Sequence, residues 1–511
     1  MAALRRITRC AAPAVLLLSA ACAPTLQSRS SDPLRDLDVL LERARTEAAI
    51  PGLALAIVRN DSIIYARGFG VREQGGNERV DEHTLFAIGS NSKAFTAAVV
   101  GKLVEEGRMR WDDPVTAHLP EFRLFDPYVT REITMRDVLS HRSGLGRRGD
   151  MIWYATPFDR AEVIRRVRHL EPNSSFRSEF GYQNIMFIAA GEAAARAGGR
   201  SWDELVTSWL LQPLGMHRSN TSVRDLARAG NVATPHTMRD GRVVPIAWRN
   251  IDNAGPAGSI NSSVADMTQW VRMLLAGGEL DGRRILDEAT VRELQVPHTI
   301  TGSGIDSLFP MRHFSAYGLG FGLSDYYGRK LLMHSGGIDG MLSTVALLPE
   351  ERVGIVLLTN SDAHSVYSAL PFDIIDRLIG ERPRDLTSRA IATDAAQRAA
   401  AAEAERRRAA ERVSGTRPSL ALGDYVGPYE SPLYGTLDIS LESGQLVARR
   451  YDTLRAPLEH WHYNTFRATW SDAAFGTTLI TFALDADGTA ATLEIEGLGR
   501  FRRVREPGRD R

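Results

Sequence analysis

The run Phe86-Ala-Ile-Gly-Ser90-Asn-Ser-Lys93 opens an Ala- and Val-rich stretch with a serine three residues ahead of a lysine. Positions i and i+3 of a helix share a face, so the two side chains can meet. A serine in the first turn also sits at the positive end of the helix dipole, which favours negative charge developing on an attacked carbonyl. A lysine that has lost its proton can take the serine's, provided burial or neighbouring cations lower its pKa. Arginine cannot, because it stays protonated at any accessible pH. Lys93, Lys102 and Lys330 are the only lysines among 62 basic residues. A lysine kept at this spacing in so arginine-biased a chain points to a group that must titrate.

Two further groupings could join the pair. Phe180-Gly-Tyr182-Gln-Asn184 precedes a helix-like run from Ile185 to Arg196. On an extended loop, residues two apart face one side, so Tyr182 and Asn184 can offer a phenol and an amide to one pocket. Leu331-Leu-Met-His334-Ser335-Gly336-Gly337 reads as a strand ending in glycines, where backbone can approach a ligand closely with an imidazole to one side. Each has a plainer reading when taken singly: a solvated lysine on a capped helix, a packed tyrosine with Asn184 capping the next helix, a strand-end histidine.

Taken together and in this order, the motifs resemble those of the penicillin-binding-protein and β-lactamase-related serine hydrolases, nearest the class C-like branch. The resemblance spans about residues 33–381. It is supported by Ile133-Thr-Met-Arg-Asp-Val-Leu-Ser-His141-Arg-Ser-Gly144, by Pro256-Ala-Gly258-Ser-Ile-Asn-Ser and by Tyr317-Gly-Leu-Gly-Phe-Gly. It implies an antiparallel sheet flanked by helices with a helical subdomain. It also implies that Ser90 is acylated with Lys93 as its partner. Tyr182 is then the partner base, its phenolate sustained by cations, and Asn184 holds the substrate amide. The oxyanion hole would come from the N–H groups of Ser90 and Gly337, with Ser335 and Gly336 completing a substrate-binding third motif. Many β-lactamases carry Lys-Thr-Gly where this chain has His334-Ser335-Gly336. A histidine offers no fixed charge for a substrate carboxylate near neutral pH. That suits peptidases and esterases, and His334 is expected to assist proton transfer. The expected function is an exported serine hydrolase acting through an acyl-enzyme on a small peptide, amide or ester, and peptidase-like. An esterase, a β-lactamase, or a penicillin-binding sensor that acylates without turnover are the alternatives.

The elements that must position these residues can be read coarsely. Residues 33–48 carry leucines at helical spacing, and two strand-like runs, Leu53 to Val58 and Ile63 to Val71, flank the hairpin signal Arg59-Asn60-Asp61. Residues 90–107 read as a helix, and about 110–325 as helical segments broken by Gly/Pro loops. Strand-like runs return at Lys330–His334, Ser343–Leu348 and Gly354–Thr359, ahead of a helix near Ser365–Ile379. Strands at both ends around a helical middle predict an α/β domain. Residues 384–414, rich in Ala, Arg and Glu, predict a helical linker. From 418 to 505, closely spaced alternating runs predict a small all-β sandwich or barrel. Its motifs Tyr425-Val-Gly-Pro-Tyr429, Tyr434-Gly435-Thr and Leu458 to Phe466 resemble the lipocalin-like barrel appended to some of these hydrolases.

The first 23 residues read as a signal peptide: Arg5, Arg6 and Arg9, an apolar stretch from Ala11 to Leu18 too short to span a bilayer, then small residues. Ser19-Ala-Ala-Cys22 resembles a lipobox, with Ser19 where leucine is usual. Two outcomes follow: lipidation of Cys22 with anchoring to a membrane, or ordinary cleavage near Ala21 or Ala23. Either predicts export, to the periplasm or the cell envelope. The formal net charge of the whole chain is zero, which gives no footprint for nucleic acid. Both cysteines lie in the leader and no zinc-ligand spacing occurs, so no metal or other cofactor is expected. Sequence leaves the oligomeric state open.

Overall fold

The computed structural model describes residues 32–302 and 309–504. The leader, with Cys22, lies outside the described residues. Helix α1 (Leu37–Glu47) leads into strands β1 (Gly52–Arg59) and β2 (Ser62–Gly70), joined by Asn60 and Asp61, both with positive φ. Positive φ at both central residues matches the turn to the twist of the flanking strands. After helix α2 (Ser92–Glu105) come the helical middle, with α3 (Asn184–Gly198) and α4 (Val264–Leu275), and then strands β3 (Thr299–Gly302), β4 (Ser315–Tyr317) and β5 (Gly322–Tyr326). Strands β6 (Arg329–Ile338), β7 (Met341–Leu348) and β8 (Val353–Thr359) and helix α5 (Val366–Leu378) complete the domain.

All eight strands form one antiparallel sheet in the order β2-β1-β8-β7-β6-β5-β4-β3. Strand β1 is buried on both faces. Leu53, Leu55 and Ile57 pack with α1 and α5, while Ala54, Ala56 and Val58 face the core that contains α2, α3 and α4. A strand between two helical layers can therefore read as one apolar run rather than an alternation. The α/β sheet flanked by helices is as the motifs imply. The reading of 110–325 as wholly helical is corrected: β3, β4 and β5 extend the sheet at its far edge. Those strands are short and interrupted by Gly318, Gly320 and Gly322, which hides their period.

Helix α6 (Leu386–Ala410) occupies the predicted linker. Its first turns dock on the catalytic domain, where both Asp373 carboxylate oxygens accept from the N–H groups of Leu386 and Thr387 at 2.9 and 2.8 Å. Its remainder is mostly exposed. The C-terminal domain is a closed, antiparallel eight-stranded barrel: β9 (Gly427–Ser431), β10 (Gly435–Glu442), β11 (Gln445–Arg450), β12 (Leu454–His462), β13 (Thr465–Thr469), β14 (Thr477–Leu484), β15 (Ala490–Ile495) and β16 (Gly499–Arg503). Strand β9 closes the barrel on β16. The stretch His460 to Trp470, one run by pattern, is a hairpin turning at Tyr463, which has φ 46°. Among the described residues no helix is long and apolar enough to cross a membrane.

Candidate active site

Ser90 stands in a 3-10 turn, Gly89–Asn91, that leads directly into α2. The turn is pinned from outside. Ile88 N–H donates to Ile260 O at 3.0 Å, Asn91 Nδ2 to Ser343 Oγ at 2.8 Å, and Ser343 Oγ to Ile88 O at 2.7 Å. Gly89 has φ +50°, and a Cβ there would fall 2.6 Å from Gly337 N, while a Cβ on Gly336 would collide with Ile88 O. These two glycines let β6 lie directly against the serine turn. Gly337 thereby lines the same cleft as Ser90.

Lys93, one helical turn on, is 0% exposed. Its Nζ lies 2.9 Å from Ser90 Oγ, 2.7 Å from Asn184 Oδ1 and 2.8 Å from Ala257 O. The last two atoms can only accept. A neutral amine that gives its two N–H groups to them keeps its lone pair for the serine proton. Burial holds the Lys93 amine well below its usual range; the Arg147 charge pushes the same way, and Asp150 opposes both.

Tyr182 Oη donates to Ser90 Oγ at 2.7 Å, and the Arg147 guanidinium lies 4.4 Å from the ring centroid. The expected Tyr182 phenolate is not what this environment favours. Burial raises the phenol well above its usual range, outweighing the hydrogen bond to Ser90 and the Arg147 charge. Asn184 is the first residue of α3, whose cap is instead Gln183: its Oε1 accepts from Ile185 N–H at 2.9 Å. Asn184 Nδ2 donates to Asp150 Oδ1 at 2.9 Å, which turns Oδ1 toward Lys93. Much of the hydrogen-bonding capacity that the motif assigns to a substrate amide is thus spent inside the protein.

The third motif divides. Gly337 reaches the cleft, Gly336 is buried against the serine turn, and Ser335 is exposed on the opposite face of β6 from His334. His334 is buried, with Nδ1 2.6 Å from Ser335 O and Nε2 2.8 Å from Tyr317 Oη. Its carbonyl partner can only accept, so Nδ1 carries the proton and Nε2 accepts from the tyrosine. Burial pushes the imidazole down to about 3. Neither nitrogen is directed at Ser90, so the geometry gives His334 no place in the expected proton transfer. Residues that sequence reasoning did not single out for the site are Arg147, Asp150, Ala257 and Tyr317. Arg147 and Asp150 sit in a Gly-rich loop whose charges look like any solvated turn.

A family model described as Beta-lactamase matches residues 37–374, more than half of the chain. The chain belongs to the beta-lactamase family. Residues 411–505 match a second family, described as a domain of unknown function, DUF3471. An unguisins hydrolase of Aspergillus campestris is 28% identical over 452 residues, covering 83% of this chain and 81% of that protein. Penicillin-binding protein 4 of Amycolatopsis lactamdurans is 29% identical over 352 residues, covering 66% and 88%. Among solved structures, an octameric penicillin-binding protein homologue from Pyrococcus abyssi superposes with TM-score 0.61 at 20% identity, over 92% of this chain and 99% of that one. A D-stereospecific amidohydrolase from Streptomyces sp. gives 0.51 at 23%, over 63% and 92%. At such identities the structural likeness concerns the fold. Family membership and its hydrolase relatives make the protein a serine hydrolase in general terms.

Proposed function

We propose that the protein is an exported, peptidase-like hydrolase that cleaves peptide, amide or ester bonds through an acyl-enzyme on Ser90. The observation that carries this reading is the buried Lys93 amine, 2.9 Å from Ser90 Oγ and held by two carbonyl oxygens. As Oγ attacks the substrate carbonyl carbon, its proton passes to the Lys93 lone pair. The C=O electron pair moves onto oxygen, where the N–H groups of Ser90 and Gly337 receive it. Collapse of the tetrahedral centre expels the amine or alcohol, which takes the Tyr182 phenol proton, and the proton on Lys93 replaces it. Water then attacks the ester, losing its proton to Lys93, and as the second tetrahedral centre collapses Ser90 Oγ leaves, taking that proton back from Lys93.

A neutral, buried His334 at the place of the usual lysine favours a substrate without a recognised carboxylate. The solved structure described as a D-stereospecific amidohydrolase agrees with an amide substrate. The export part rests on the leader alone. The test is intact mass after incubation with a fluorophosphonate. The parent should gain one adduct and Ser90→Ala none; equal labelling of both would refute the assignment. With penicillin, a persistent adduct without turnover would mark the sensor alternative. The mass of the mature N-terminus, with Cys22→Ala as control, distinguishes lipidation from simple cleavage.

A further inference from the structure

The cleft at Ser90 has a volume of about 350 Å³. Between the catalytic domain and the barrel lies a second space of about 1110 Å³, walled on one side by segments 154–157, 237–239 and 246–250 and on the other by barrel turns 451–454 and 471–474. Tyr154, Asp339 and Asp362 line both spaces, so the two adjoin. The partition is built from both domains. Tyr154 Oη donates to Asp339 Oδ1 at 2.6 Å and Arg249 Nε to Asp339 Oδ2 at 2.7 Å, while Arg249 Nη2 reaches Asp472 Oδ2 of the barrel at 2.6 Å. Asp339 stands two residues after Gly337, in the turn that joins β6 to β7.

Sites that bury most of a drug-sized ligand measure roughly 300–1,000 Å³. The Ser90 cleft alone suits a scissile bond and one short side chain. The adjoining space is larger than a small ester or a bicyclic lactam needs. Its lining joins apolar surface from Met238, Ile246 and Trp248 with polar positions such as Asn250 and Thr453, the mixture that an oligopeptide backbone and its side chains require. The Arg249 charge is taken up by Asp339 and Asp472, and Arg239 adds a second guanidinium to the lining.

We propose that this interdomain space is the subsite for the remote part of an oligopeptide whose scissile bond lies at Ser90, with the barrel supplying one wall. The inference rests on the acyl-enzyme reading above and names its substrate class. In the parent, kcat/KM should rise at least tenfold along peptide amides from two to eight residues. Ala473→Trp and Thr453→Trp, at exposed positions in the barrel turns that line the space, put a bulky ring into it. For each variant, the loss of kcat/KM on the longest peptide should exceed the loss on p-nitrophenyl acetate by at least tenfold. Fluorophosphonate stoichiometry identifies correctly folded protein. Equal losses on ester and peptide, or no gain with peptide length in the parent, would overturn the subsite. Ester hydrolysis surviving in Ser90→Ala would instead overturn the acyl-enzyme reading, so the two failures are distinguishable.

Discussion

At the residue scale, the chemistry turns on how Lys93 is kept neutral. Burial and the Arg147 charge favour the free amine, against the single opposing charge of Asp150, while two carbonyl acceptors fix where its N–H groups point. Lys93→Arg should lower acylation by about 10²–10⁴, the range for loss of a general base, when measured by single-turnover adduct formation. The acid limb of kcat/KM should report Lys93. Removing a positive neighbour favours the ammonium form, so Arg147→Ala should move that limb to higher pH. Asp150→Asn removes a negative neighbour and should move it lower. Two shifts of the same sign would exclude Lys93 as the titrating base. Stability follows the same logic at other buried bases. Burial pushes His334 down to about 3 and His364 to about 4, whereas unfolded histidine titrates near 6.5. Between those values the unfolded chain binds more protons, so stability is full above about pH 6.5 and falls as the pH drops toward 3. Urea unfolding should show this slope, and His364→Gln, at the imidazole that bonds Thr359 Oγ1, should lessen it by about 1.4 kcal/mol per pH unit. The Ser90–Lys93 pairing was legible because it is local, a matter of helical spacing. Arg147, Asp150 and Ala257 were not, since they act from separate parts of the chain and local pattern carries no sign of where they converge.

At the scale of elements, a tight contact between β6 and the serine turn aligns the site. Gly336→Ala would set a methyl against Ile88 O. It should cost about 1–3 kcal/mol, the scale of forced misfits at buried positions, and lower kcat more than KM because Gly337 moves with it. Glycines after His334 were readable as a place of close approach. What they approach was not: the first of them meets the nucleophile's own turn, and only the second faces the cleft. A second lever is Asp373, which caps α6 from α5. Asp373→Ala should destabilise the protein by about 1–2 kcal/mol, read as a lower unfolding midpoint. The composition of α6 forecast a helix through propensity. Its docking depends on a carboxylate thirteen residues earlier, a tertiary partnership that composition does not express.

At the scale of the whole molecule, the barrel grips the catalytic domain beside its site. Arg450, only 2% exposed, donates to Met151 O and Tyr434 O, both at 3.1 Å, and Tyr434 Oη donates to Arg148 O at 3.3 Å. The segment held in this way carries Arg147 and Asp150. Arg450→Met should therefore reduce kcat/KM about tenfold even for a small ester, while Ser90 still takes up one equivalent of fluorophosphonate; the cost exceeds that of a surface change because the half-buried Met151 carbonyl loses its Arg450 donor, whereas Tyr434 O keeps that of Tyr451 Oη. An unchanged rate would show that the barrel does not brace the loop.

The amino-acid sequence by itself placed Ser90 and Lys93 on one helical face and marked the family, the main helices and the central strands. Each of these rests on spacing within one element, where geometry repeats every 3.6 or 2 residues. Tertiary structure alone decided that Tyr182 Oη meets Ser90 Oγ, that His334 turns away to Tyr317, and that the barrel stands beside the cleft. Those outcomes depend on burial and on charges brought together from distant segments, and desolvation has no counterpart in a linear pattern.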